Sequence, residues 1–342
     1  MRFLSIEDIV PGTRLARPLC DDQGTILLRE NYVITEGILD KLKEQKYVGV
    51  YIKDESESIY IDDVVDEQFR ESIAARLEYI VTHNANIAEM EPLITEIVDR
   101  IISNGNVVIN MNRLRGHHEY TYMHCVNVGI LSVSIGVKLD FEREELIQLG
   151  AAGILHDIGK KKIPLEILDK PGKLSKEEYD LMKQHAAFGY DMISDNEEFS
   201  NISKTAVLQH HERYDGSGYP HGLTGERITL FGRILAVADT YDAMTSDRAY
   251  RKAFSPSEAV EFLMGDGNRL YDWQVIESFM KCIVIYPVGA VVELSDGARG
   301  VVIRNYSDCV LRPVIREAKG GRIIDLKNDK DYLNVCITGL IE

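Results

Sequence analysis

LHDIGK, residues 155–160, lies inside a long tract, from about residue 110 to 284, in which Ala, Leu and Ile recur at helical spacing and β-branched alternation is scarce. That pattern predicts an all-α domain. The motif also sets His156 and Asp157 within strongly apolar sequence. Outward from this pair, His124 precedes it, and His185, the doublet His210-His211 and Asp239 follow, at intervals of 25 to 32 residues. Such intervals let a helix turn and return, so a helical bundle can aim all seven groups at one centre.

Imidazoles and carboxylates without a thiolate suit divalent iron or manganese, with zinc a third candidate, and argue for a catalytic rather than a structural site. Adjacent helical residues point about 100° apart, so neither His156 and Asp157 nor His210 and His211 easily chelate one ion symmetrically. Two ions resolve this. A carboxylate can bridge them, and a pair about 3.5–4 Å apart is a known clamp for phosphoester hydrolysis. Asp157 is the bridging candidate. Any one of these histidines alone reads as an ordinary core or surface residue; the ordered set reverses that reading. His83, His117, His118 and His221 keep the ordinary one.

Residues 1–60 read as a small α/β module, with turn signals at Pro11-Gly12 and Asp21–Gly24, a helix in ITEGILDKLKEQ capped by Thr35, and a strand in YVGVYI. Residues 61–110 form a helical linker: Ile73, Leu77, Ile80, Ile87, Leu93, Ile97, Val98 and Ile101 recur on one helical face, and Pro92 opens a second helix. Such helices join a sensory module to a catalytic one, form the seam of a homodimer, or pack on their own domain. The catalytic domain spans residues 111–285. Residues 286–342 form a small β domain, in which AVVEL, Asp296-Gly297 and RGVVIR read as a hairpin with a type I′ turn, and VLRPVIRE, Gly320-Gly321 and RIIDL as another.

Across 342 residues the composition is 45% hydrophobic and 27% charged, which is globular and excludes extended disorder. Lys and Arg number 39 against 55 Asp and Glu, and the net charge of -16 argues against polymeric nucleic acid as a partner. No segment approaches the ~20 apolar residues of a bilayer span and no signal peptide is evident, so a cytoplasmic protein without a membrane partner is expected. Five scattered cysteines without CxxC spacing predict reduced thiols.

LHDIGK (155–160), HHERYDGSGYP (210–220) and RILAVADTYDAMTSDRAYR (233–251) together resemble the HD-GYP family of cyclic di-GMP phosphodiesterases, over roughly residues 115–285, about half the chain. The resemblance implies that His124, His156, Asp157, His185, His210, His211 and Asp239 are metal ligands. Some members hold a third ion through a Glu one helical turn before the first His; Tyr120 stands there and Glu119 is displaced by about 100°, so a binuclear centre is expected. Tyr120 is a candidate for contact with substrate or a metal-bound water.

Lys160, one helical turn from His156, matches the family's phosphate-contacting lysine and is expected to act with Asp157 in catalysis, while Lys161 and Lys162 read as a solvated face. Tyr219, in a glycine-rich loop, offers a stacking face to substrate. Glu212 is expected to orient a ligand histidine. Asp242 shares a helical face with Asp239, as support or substrate contact, and Arg248 and Arg251 match substrate-contact positions suited to phosphate or guanine. The implied reaction is hydrolysis of cyclic di-GMP to pGpG, and in many members onward to GMP, by a hydroxide held between the ions. The alternatives are a weakly catalytic or non-catalytic cyclic-dinucleotide-binding module and an HD phosphohydrolase acting on another nucleotide.

Overall fold

In the computed structural model of the chain, residues 2–6, 9, 11–16, 18–20, 26–29, 31–45, 47, 49–52, 65–104, 109–110, 120–246 and 253–341 are described. They divide into a helical unit, Asp63–Ile285, and a terminal unit made of Met1–Asp62 and Tyr286–Glu342.

The N-terminal part of the terminal unit runs β1 (Arg2–Ser5), β2 (Leu19–Cys20), β3 (Ile26–Leu28), α1 (Glu36–Glu44) and β4 (Gly49–Ile52). β1 pairs antiparallel with β4, and β2 with β3. Ile6, Leu15, Ile34, Leu39 and Val50 form its core. Thr35 occupies the N-cap of α1, but its side chain makes no capping bond.

The helical unit contains α2 (Glu67–His83), α3 (Glu91–Ser103), β5 (Ile109–Asn110), α4 (Tyr120–Lys138), α5 (Arg143–Leu155), α6 (Leu165–Leu168), α7 (Lys176–Met182), α8 (His185–Ile193), α9 (Asn201–Gln209), α10 (Leu230–Thr245), α11 (Pro256–Gly265), α12 (Trp273–Lys281) and β6 (Ile283–Val284). Local chemistry starts these helices where the sequence changes character. Asp66 caps α2 by accepting from the Phe69 amide, Pro92 opens α3, and Ser200 and Thr229 cap α9 and α10. β5 pairs in parallel with β6, joining the start of this unit's α4–α12 region to its end.

Within residues 61–110, read from the sequence as a linker, the described helices do not stand apart. α2 buries Ile73, Leu77 and Ile80, and α3 buries Ile94, Ile97, Val98 and Ile101, packing on α4 and α5 respectively. An amphipathic stripe announces that a helix needs a partner, and here the partner is the bundle itself. α4 and α5 pack most extensively of all, α5 being buried around its whole circumference from Leu149 to Leu155.

After α5 the chain makes a 3-10 turn, Ile158–Lys162. Gly159 in this turn lies so close to α8 that a Cβ would collide with the His185 carbonyl oxygen and the Gly189 amide. That close approach, open only to glycine, is what brings Asp157 beside His185.

The C-terminal part of the terminal unit is an antiparallel sheet of β7 (Val291–Leu294), β8 (Arg299–Arg304), β9 (Val314–Glu317), β10 (Ile323–Asp325) and β11 (Ile337–Ile341), in the order β10-β9-β8-β7-β11. Both expected hairpins are present, β7–β8 and β9–β10. The first turn is not type I′, which needs positive φ at both central residues. Only Gly297 has it, at +83°, and the Leu294 amide donates to Ala298 O, closing a three-residue loop with a left-handed glycine.

Candidate metal centre

Five helices and one turn supply the predicted ligands. His124 lies on α4, His156 and Asp157 follow the end of α5, His185 begins α8, His210 and His211 follow α9, and Asp239 lies on α10. All are buried except His211, whose side chain is 19% exposed. His185 Nε2 stands 3.3 Å and His210 Nε2 4.0 Å from Asp157 Oδ1, while His156 Nε2 stands 3.3 Å and His124 Nε2 3.8 Å from Asp157 Oδ2. Asp239 lies 3.2 Å from His124 Nε2 and 3.8 Å from His211 Nδ1. Five widely separated stretches therefore converge, with Asp157 in their midst.

The ring orientations follow from what holds the opposite nitrogen. Nδ1 of His156 lies 2.7 Å from Gly153 O, that of His185 2.8 Å from Met182 O and that of His210 2.7 Å from Val207 O. A carbonyl only accepts, so each Nδ1 carries the proton and each neutral ring turns a lone pair on Nε2 inward. His124 is held differently: its Nδ1 lies 2.7 Å from Asp242 Oδ2, and Asn127 Nδ2 donates to Asp242 Oδ1 at 2.9 Å.

Electrostatics separates the groups further. Burial opposes the charge on His124, but its hydrogen bonds with Asp239 and Asp242 outweigh burial and lift its pKa to about 9. Burial, aided by neighbouring imidazoles, holds His210 well below its ordinary value, and burial takes His211 down to about 3. Asp157 and Asp239 stay ionised despite burial, which pulls the other way: Lys160 and His156 hold Asp157 far below the usual carboxylate range, and His124 does the same for Asp239.

These residues fit a divalent metal. His156 Nε2 and Asp157 Oδ1 are fully buried with no hydrogen-bond partner, which is costly for polar atoms unless something else binds them. His185 Nε2 and His210 Nε2 face each other at 3.2 Å, an arrangement of inward lone pairs that a cation would satisfy. Ligand atoms gather in two groups, one from Asp157, His185, His210 and His211, the other from His124, His156 and Asp157. Asp157 belongs to both.

The residues around these groups are held in several different ways. Lys160 Nζ bonds Asp157 Oδ2 at 2.5 Å with 28% of its side chain exposed, from the 3-10 turn rather than an α-helical one. Asp242, a candidate for substrate contact, is 2% exposed and has both oxygens engaged, so it supports His124 instead. Among the described residues, Glu212 bonds no ligand histidine. Its buried carboxylate accepts from the His221 and Leu223 amides at 2.8 and 2.9 Å and so anchors the loop between them and the doublet.

In that loop, Gly218 packs on the His211–Arg213 backbone where a Cβ would meet Glu212 Cα at 2.5 Å, and the Tyr219 amide donates to His211 O at 3.2 Å. The Tyr219 ring therefore sits 4.7 Å from the His211 ring. Lys161, read as a solvated cation, bonds Val81 O and, at 2.6 Å, Asn84 Oδ1. Arg248 and Arg251, together with His117, His118 and Glu119, fall outside the described residues, and Tyr120 is described only in its backbone, as the first residue of α4. Sequence reasoning passed over Asn127, although its place three residues after His124 puts it on the same helical face.

A family model described as "HD domain" matches residues 94–275. The chain belongs to the HD-domain family. A cyclic di-GMP phosphodiesterase of Pseudomonas aeruginosa is 40% identical over 229 residues, covering 67% of this chain and 55% of the relative. One from Thermotoga maritima is 40% identical over 162 residues, covering 47% of this chain and 44% of the relative. The chain thus spans about half the length of the curated relatives it matches. A solved HDG"Y"P protein of Bdellovibrio bacteriovorus superposes with a TM-score of 0.52 at 18% identity, covering 81% of this chain and 97% of that one, which shows a shared fold. Among the described residues, no helix is long and apolar enough to cross a membrane.

Proposed function

We propose that the chain is a metal-dependent cyclic di-GMP phosphodiesterase that opens the cyclic dinucleotide to pGpG in the cytoplasm, with two divalent ions, manganese or iron, sharing Asp157. The observation that carries this reading is the membership of Asp157 in two ligand groups at once. The P. aeruginosa and T. maritima relatives, both named cyclic di-GMP phosphodiesterases, support the substrate.

When bound, the ions supply Lewis acidity at the scissile phosphate and lower the pKa of water. The protein's own groups do the rest. His156, His185 and His210 keep lone pairs inward because main-chain carbonyls hold their other nitrogens, so no reorganisation precedes binding. Asp157 contributes one oxygen to each group. Lys160, charged and partly exposed beside Asp157, offers its amine to a non-bridging phosphate oxygen and stabilises charge that grows there. Tyr219, placed over His211 by the loop that Glu212 anchors, offers a ring face to a guanine base. Arg248 and Arg251 belong to the same reading, as phosphate or guanine contacts.

The test is incubation of the purified chain with manganese or ferrous iron and cyclic di-GMP, followed by chromatography. Linear pGpG is the expected product, with GMP appearing if the second ester is also cut. Binding without a linear product under either metal would make the chain a cyclic-dinucleotide-binding module. Turnover of a different nucleotide alone would overturn the substrate.

A further inference from the structure

The 3-10 turn Ile158–Lys162 follows Asp157 and carries Lys160, so its placement sets where the shared carboxylate stands. It is fixed on one side by Gly159, which packs against the His185 carbonyl and the Gly189 amide of α8. On the other side Lys161 reaches the C-terminal end of α2, 77 to 80 residues earlier in the chain. Its amine donates to Val81 O and, at 2.6 Å, to Asn84 Oδ1. Val81 O belongs to the last helical turn, whose carbonyls lack intrahelical partners, and Asn84 is the left-handed residue that ends α2, with φ +52°. A cation there also meets the negative end of the helix. Lys162, by contrast, makes a cation–π approach to Phe188, 5.4 Å from the ring, and among the described residues no side-chain hydrogen bond or ion pair.

We propose that Lys161 is a positioning residue, clamping the end of α2 to the turn that bears Asp157 and Lys160, so that α2 forms part of the support of the metal centre. α2 is the first helix after the boundary at Asp62 between the N-terminal segment and the helical unit. The inference rests on the metal-binding reading above and deepens it.

The test is manganese titration by calorimetry of the full chain and its variants, with thermal unfolding of the metal-free proteins in parallel. Lys161→Met is expected to weaken manganese binding about tenfold, the size usual for loss of a group that orients ligands. Asn84→Gly removes one acceptor while suiting the positive φ, and is expected to weaken binding in the same direction by a smaller factor. Lys162→Met is expected to titrate as wild type, and Lys161→Arg to recover most of the affinity. If Lys161→Met unfolds, Asn84→Gly decides. Wild-type affinity in Asn84→Gly, or equal weakening in Lys162→Met, would overturn the clamp. A wild-type chain that takes up no manganese would overturn the metal reading itself and the inference with it, a result distinct from any pattern among the variants.

Discussion

On one side of Asp157, His185 and His210 rest their Nδ1 atoms on main-chain carbonyls; on the other, His124 leans on the carboxylate of Asp242. Carbonyl support is neutral and comes from helix geometry, each acceptor lying three residues back, so burial dominates and both rings are held below their ordinary pKa. Carboxylate support is charged, and Asp239 and Asp242 together lift His124 to about 9 against the effect of burial. The centre thus sets two imidazoles held below their ordinary values against His124, which an arriving cation must relieve of a proton. A ligand set of similar donors is in this way made unequal by the groups behind it.

The largest effect comes from abolishing the element both sides share. Asp157→Ala is expected to lower turnover of cyclic di-GMP by about a thousandfold or more, since it removes an oxygen from each group and leaves Lys160 facing no carboxylate. Product chromatography over long incubations checks this, and near-normal turnover would break the comparison at its root. Removing the support of one side sharpens it. Asp242→Asn is expected to cost about 10- to 100-fold in activity or metal affinity, and to bring the His124 pKa back toward 6.5, which NMR titration of the metal-free protein would follow.

A change that leaves both sides intact should behave otherwise. Tyr219→Ala is expected to raise KM about tenfold with little change in kcat, since a stacking face aids binding rather than the chemical step. An equal fall in kcat would place Tyr219 among the groups that act on the reacting phosphate.

The smallest effect is on pH dependence. A group whose folded pKa is raised gives stability that is complete below its unfolded value and lost as pH rises through the folded one. For His124 this window runs from 6.5 to about 9. His185, His210 and His211, with lowered values, lose their contribution below 6.5 instead. Metal-free protein is therefore expected to lose a few degrees of Tm between pH 6.5 and 9. Asp242→Asn is expected to flatten that slope; an unchanged slope would show that another group produces it.

The seven converging groups were legible in the sequence because imidazoles and carboxylates inside apolar helical sequence are rare and have few other uses. What stands behind them was less so. Spacing placed Asp242 on the face of Asp239, but a period fixes a face and not a partner, and its carboxylate turned out to serve His124. Glu212 carries the same ambiguity, since a buried acceptor can satisfy a ring or two main-chain amides, and here it takes the amides. The stripes of α2 and α3 showed that both helices bury a face without saying against what, so a linker was expected where the bundle begins. Lys161 sat in a basic run whose usual fate is solvent, and only the fold shows the helix end it reaches.

Metal content of wild type and Asp157→Ala, measured by plasma mass spectrometry on protein loaded with manganese and desalted, tests the sharing of one carboxylate most directly. The account predicts two ions per wild-type chain and loss of both from the variant, with folding retained by circular dichroism. Two ions retained by Asp157→Ala would contradict it.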